Sequence, residues 1–93
     1  MEETIRRHII FHGRVQGVGF RYRSYYAAQK FGLTGWVRNL YDGTVEMEIQ
    51  GKESGIDALI LTLDKSDYVE IREMQVKKLY PDREERGFRI LES

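Results

Sequence analysis

The chain has 93 residues, no cysteine, and 15 basic against 15 acidic side chains. That length makes one domain, spanning 1–93, with a two-layer core; it leaves no disulfide, thiol nucleophile or zinc–thiolate site, and no apolar run long enough for a membrane span. A zero total gives no general basic footprint for nucleic acid. The charge is uneven, however: residues 1–38 hold seven Arg and Lys against two Glu, and residues 39–93 hold eight against thirteen acidic residues. An anionic small molecule would be steered to the first part. The opening Met1-Glu2-Glu3-Thr4 lacks the basic-then-apolar pattern of a secretion signal, so a cytoplasmic protein is expected.

Residues 5–14 read as a strand, with Ile9 and Phe11 on one face and His8, Ile10 and His12 on the other. Apolar residues on both faces predict a central strand. A glycine-rich loop follows, then a helix over about 20–31 with Phe20, Ser24, Ala27, Ala28 and Phe31 as its buried stripe and Gly32 closing it. Residues 34–39 form a short strand in which Val37 and Asn39 share a face, and Asp42-Gly43 marks a hairpin turn. In the strand over 44–51, Val45, Met47 and Ile49 alternate with Glu46, Glu48 and Gln50; the acidic face is expected to meet water. A second helix spans about 54–65, with Ser54 and Asp57 resembling a capping box and Ile56, Leu59, Ile60 and Leu63 as its stripe. The phase of apolar residues slips between Ile71 and Met74, which predicts a β-bulge near Arg72-Glu73. A turn over 79–82, an exposed charged loop to Arg86 and a short strand over 88–90 end the chain. The order predicts an α+β, ferredoxin-like split βαβ sandwich (βαββαβ), an antiparallel sheet with both helices on one face.

Such a fold hosts many functions, so the residues must decide. Gly13, Gly17 and Gly19 lie between a strand and a helix, where glycine lets backbone N–H groups converge on an anion. Arg14 and Arg21 bracket the loop with full charge. No Gly-Lys-Ser/Thr follows, and the spacing is not that of a dinucleotide fingerprint. An RNA-recognition module would need paired aromatics where the third strand instead presents Glu46 and Glu48. His8 and His12 are about 13 Å apart along a strand, too far for shared metal ligation, and are expected on the surface or half-buried. Trp36 and Tyr22 are expected to pack, the remaining tyrosines show no stacking array, and Arg23 and Arg38 add field around the loop or are simply solvated.

Phe11-x-Gly13-x-Val15-Gln16-Gly17-Val18-x-Phe20-Arg21 resembles the first signature of the acylphosphatase family. Gly35-Trp36-Val37-Arg38-Asn39-x-x-x-Gly43-x-Val45, followed by Gly51, resembles the second. The resemblance implies hydrolysis of acyl phosphates to a carboxylate and inorganic phosphate, with no metal or other cofactor, by a monomer that engages neither membrane nor nucleic acid. It further implies that Arg21 binds phosphate and is catalytic, that Asn39 positions the attacking water, and that the loop of Val15, Gln16, Gly17, Val18, Gly19 and Phe20 supplies backbone N–H groups. The family also contains domains within hydrogenase-maturation carbamoyltransferases that act on carbamoyl phosphate, and a catalytically silent anion- or RNA-binding module is the non-enzymatic alternative. Lys65-Ser66-Asp67 departs from the family's usual turn after the second helix. In some members a terminal carboxylate orients the arginine, a role that would fall to Ser93.

Independent chemistry supports the substrate class. A guanidinium fork matches two phosphate oxygens, and phosphoryl transfer is mainly positioning and charge stabilisation. Neither stretch offers a Cys, Ser, Asp or His suited as nucleophile or general base. Such a site can expel only a good leaving group, and a carboxylate, with a conjugate-acid pKa of about 4, qualifies.

Overall fold

Period-two alternation makes the strands and 3.6-residue periodicity the helices, and the elements bury their apolar sides except the strand over 70–79, whose residues are exposed or half-buried. The elements are β1 (Thr4–Arg14), α1 (Phe20–Lys30), β2 (Thr34–Asn39), β3 (Val45–Lys52), α2 (Glu53–Asp64), β4 (Glu70–Leu79) and β5 (Phe88–Ile90). In the computed structural model, which describes residues 2–92, the strands form one sheet in the order β4-β1-β3-β2-β5. β1 is antiparallel to β3 and β4, and β2 is antiparallel to β3. β1 and β2 are therefore parallel with β3 between them, the split βαβ arrangement expected from the element order. The short β5 adds a parallel pair with β2, so the sheet is mixed at that edge.

Ile9, Phe11, Val37, Val45, Met47 and Ile49 are fully buried beneath the helices. From α1 come Phe20, Ser24, Ala27 and Ala28, and from α2 Ile56, Leu59 and Leu63. The small residues on α1 let its axis approach the sheet closely, while Ser24 satisfies its hydroxyl on the Phe20 carbonyl at 2.8 Å. Gly32 follows the α1 C-cap with φ 66°, and the amides of Gly32 and Leu33 bond back to Gln29 and Ala28. This is a Schellman closure. The predicted bulge is present: Glu73 faces His12 and Ile71 faces Gly13, leaving Arg72 as the extra residue.

Two local expectations are corrected. Ser54 and Asp57 form no capping box, because the helix begins one residue earlier, at Glu53. Glu2 instead reaches the second turn position, accepting from the Ser54 amide at 3.0 Å, while Asp57 and Glu53 pair with Arg7 at 3.3 and 2.7 Å. The acidic face of β3 is not open to water: Glu46 lies under His8 and Arg38 at 2.7 and 2.6 Å, and Glu48 under Arg6 at 2.9 Å. Neighbouring strands supply the opposite charge, which a single strand's pattern cannot display, so this face is charge-balanced rather than acidic. The charged loop to Arg86 is exposed as expected, with Glu85 as the exception. Glu85 is drawn onto Arg6 at 2.8 Å with only 8% of its side chain exposed, and Gln50 exchanges hydrogen bonds with the Asp82 backbone.

Candidate active site

The site is built where β1 ends. Phe11 and Phe20, on either side of the loop, are both buried and meet edge to face with centroids 5.0 Å apart. Such a pair adds about 0.5–1.5 kcal/mol to burial, and here it pins both ends of the 15–19 segment. Val15 is itself buried and anchors the loop's first residue. Gly17 and Gly19 take φ 72° and 76°, the left-handed region open to glycine at little cost. Alternation of such residues with Val18 curls successive N–H groups toward one side. Among the described residues, the backbone N–H groups of 15–19 donate to no backbone acceptor.

Helix α1 starts directly from Gly19, with no side-chain cap and no acidic residue in its first turn. Its first N–H groups therefore remain orphaned, and the helix dipole adds positive potential at the same place. Arg21 sits in that first turn and is half-buried. Among the described residues, ion pairs engage Arg6, Arg7, His8, Arg38 and Arg72, and neither Arg21 nor Arg14 joins one. Arg38, expected to add field or to be solvated, is neutralised by Glu46 and stacked on Trp36 at 5.5 Å. Arg23 donates to the Val18 carbonyl at 3.3 Å, bracing the loop from outside.

Asn39 arrives from β2. It pairs with Val45, which also faces Phe11, so the three residues lie in line across β2, β3 and β1. That register puts Asn39 at the sheet end from which the loop leaves. Because Asn39 shares a face with the buried Val37, its side chain is on the helix side of the sheet, where α1 begins. Its Oδ1 is buried and has no hydrogen-bond partner among the described residues. Asn39 does not use its side chain to hold the turn. Asp42 does that, accepting from the Thr44 amide at 3.0 Å and the Thr44 hydroxyl at 2.6 Å, and its carboxyl is lowered chiefly by the hydroxyl bond.

Gln16 connects the two halves. Its Nε2 donates to the carbonyls of Leu40 at 2.6 Å and Thr44 at 2.8 Å, across the turn that follows Asn39. Composition and spacing place Gln16 in the loop but do not reveal this clasp, since its partners are backbone atoms 24 and 28 residues away. An open concavity of about 470 Å³ lies against Arg38, Asn39, Leu40 and Tyr41. His8 and His12 are half-buried on the opposite sheet face, bonded to Glu46 and Gln75. The expectation for Ser93 lies outside the described residues.

A split βαβ sandwich with a glycine-rich strand–loop–helix turn and, among the described residues, an unpartnered amide oxygen at the same sheet end defines a class of small α+β domains. The family model described as acylphosphatase matches residues 7–90. The acylphosphatase of Geobacillus kaustophilus is 44% identical over 87 residues, covering 92% of this chain and 93% of that protein. The crystal structure of acylphosphatase from Bacillus subtilis superposes with a TM-score of 0.84 at 33% identity, covering 94% of this chain and 98% of that one. A full-length HypF structure, in its phosphate- and nucleotide-bound form, gives 0.79 at 30% identity; this chain spans 98% of its own length but 12% of HypF. The chain belongs to the acylphosphatase family.

Proposed function

We propose that this chain, as a single acylphosphatase-like domain, hydrolyses acyl phosphates with the 15–20 loop and Arg21 holding the phosphoryl group and Asn39 placing the water. Membership of the family makes it an acyl-phosphate hydrolase; the division of labour among residues is our reading. The observation that carries it is a coincidence, at one sheet end, of groups that have no partner among the described residues: the loop N–H donors, the uncapped first turn bearing Arg21, and the Asn39 oxygen.

The N–H groups and the guanidinium meet the phosphoryl oxygens, and these preorganised donors act most strongly as charge redistributes in the transition state. Asn39 accepts a hydrogen bond from water through Oδ1 and donates through Nδ2 to the substrate or loop. The water oxygen forms a bond to phosphorus as the phosphorus–acyl oxygen bond breaks. The electron pair leaves on the carboxylate, and the water proton passes to the phosphate product or to solvent. Positioning replaces base catalysis, which suffices because a carboxylate needs no protonation to depart.

The test is turnover of acetyl phosphate and benzoyl phosphate, with carbamoyl phosphate in the same series because of the likeness to HypF. Hydrolysis should persist in the presence of a chelator, and inorganic phosphate should inhibit competitively. Absence of all turnover, with phosphate still bound, would leave the silent binding module as the better reading.

A further inference from the structure

The phosphoryl site explains half of the substrate, and a second concavity beside it is suited to the other half. Between α1 and β5 lies a cleft of about 420 Å³ lined by Tyr22, Tyr25, Tyr26, Phe88, Ile90 and Leu91, with Arg89 completing the lining. Its volume falls in the range of about 300–1,000 Å³ usual for small-molecule sites.

Both walls lead to the proposed reacting centre. On α1, Tyr22 follows Arg21 directly, and Tyr25 lies four residues on, one turn along the same helical strip as Arg21. On the other wall β5 runs parallel to β2, and the Leu91 amide continues the ladder by donating to the Val37 carbonyl at 2.9 Å. Val37 precedes Asn39 by two residues in the same strand. Neither Arg21 nor Asn39 lines the cleft itself, but each is a near neighbour in sequence or ladder of one of its walls, Tyr22 on α1 and Leu91 beyond β5.

Tyr25 is half-buried against the core, but the two tyrosines beside it are not spent on packing. Tyr22 is 62% exposed and Tyr26 66%, against the expectation that Tyr22 packs. Helical geometry turns both away from the stripe of Phe20, Ser24, Ala27 and Ala28. Tyr25 and Tyr26 meet edge to face at 5.4 Å, which fixes the wall's shape. Exposed aromatic faces opposite aliphatic side chains suit a flat or extended apolar group.

We propose that the α1–β5 cleft is the acyl subsite and that Tyr22 is a specificity-determining residue, favouring acyl phosphates with an aromatic ring or extended apolar chain over acetyl phosphate. This rests on the phosphoryl site proposed above, since only that site places the scissile bond at the cleft mouth.

The experiment measures kcat/KM for benzoyl phosphate and acetyl phosphate in the wild type and in Tyr22→Ala, Tyr22→Phe and Tyr26→Ala. The wild type should prefer benzoyl phosphate, and Tyr22→Ala should lower the benzoyl-to-acetyl ratio about tenfold, the effect of ~1.4 kcal/mol of lost contact. Tyr22→Phe should restore the ratio, because the ring and not the hydroxyl makes the contact, and Tyr26→Ala should lower it less. A general loss of structure would depress both substrates and leave the ratio alone. A ratio unmoved by Tyr22→Ala overturns the acyl subsite while leaving the phosphoryl site standing. Failure of the wild type to hydrolyse either substrate overturns the acyl subsite together with the hydrolytic reading, and phosphate binding then decides whether the anion site itself stands.

Discussion

Arg21 and Asn39 lie in different elements and are assigned different work, so their variants should separate in kinetics. Arg21→Ala removes the guanidinium from ground and transition states alike. It should raise the inhibition constant of phosphate and lower kcat/KM by about 10²–10³, the scale of losing one preorganised donor. Asn39→Ala should lower kcat while leaving phosphate inhibition largely intact. It also removes a buried acceptor without a partner, a group that costs about 1–3 kcal/mol when left so. Thermal unfolding of Asn39→Ala should therefore show no loss of Tm, and a marked fall would assign Asn39 a structural role instead. Both residues stood out in the sequence as candidates because they belong to the two stretches that resemble the family's signatures. The openness of Tyr22 did not, since an isolated aromatic in a helix looks the same whether it packs or projects.

At the scale of elements, the loop and the β2–β3 turn are joined by Gln16. Gln16→Ala deletes two hydrogen bonds but strands neither carbonyl, because Leu40 and Thr44 also accept from the amides of Gly43 and Leu40. The stability cost should be about 1–2 kcal/mol, with a fall in kcat that exceeds the change in phosphate inhibition; equal loss in both would place Gln16 in the cradle alone. The ladder across β1, β3 and β2 gives a pH dependence. Burial pushes the Glu46 carboxyl upward, but hydrogen bonds with His8 and Arg38 outweigh it and hold it below the usual range. A folded pKa below the unfolded value of about 4.3 contributes stability that is present above that pH and lost as pH falls through the folded value. Denaturant unfolding across the acid limb should thus be less pH-dependent in Glu46→Gln than in wild type, and an unchanged slope would show that Glu46 contributes nothing there. The bulge at Arg72 was visible in the sequence as a phase slip, because alternation is a local property. The charge partners of Glu46 were not, because strand order decides which side chains face each other.

Across the whole molecule, the first strand is tied to the chain's last turn. Arg6, 6% exposed, bonds Glu48, Gln50 and Glu85, the last of these 79 residues away. The clasp holds the 80–87 segment against the sheet and so fixes where β5 begins beside β2. Arg6→Ala would leave two carboxylates partly buried and uncompensated, a loss on the order of 3–5 kcal/mol. The expected result is a large drop in Tm, partly recovered when Glu85→Gln is added; no recovery would separate the two residues energetically. No described helix is long and apolar enough to cross a membrane.

The sequence by itself determined the element order, the buried stripes, the bulge and the two motifs that resemble the family's signatures. Each of these depends on spacing along one segment, where backbone geometry makes position in the chain equivalent to position in space. Tertiary structure alone decided which groups are paired among the described residues: that Arg38 is neutralised while Arg21 joins no ion pair there, that Gln16 spans two loops, and that the tyrosines of α1 face a cleft beside β5. Those outcomes depend on contacts between distant segments, and a side chain's freedom to bind a substrate is what remains once those contacts have been made.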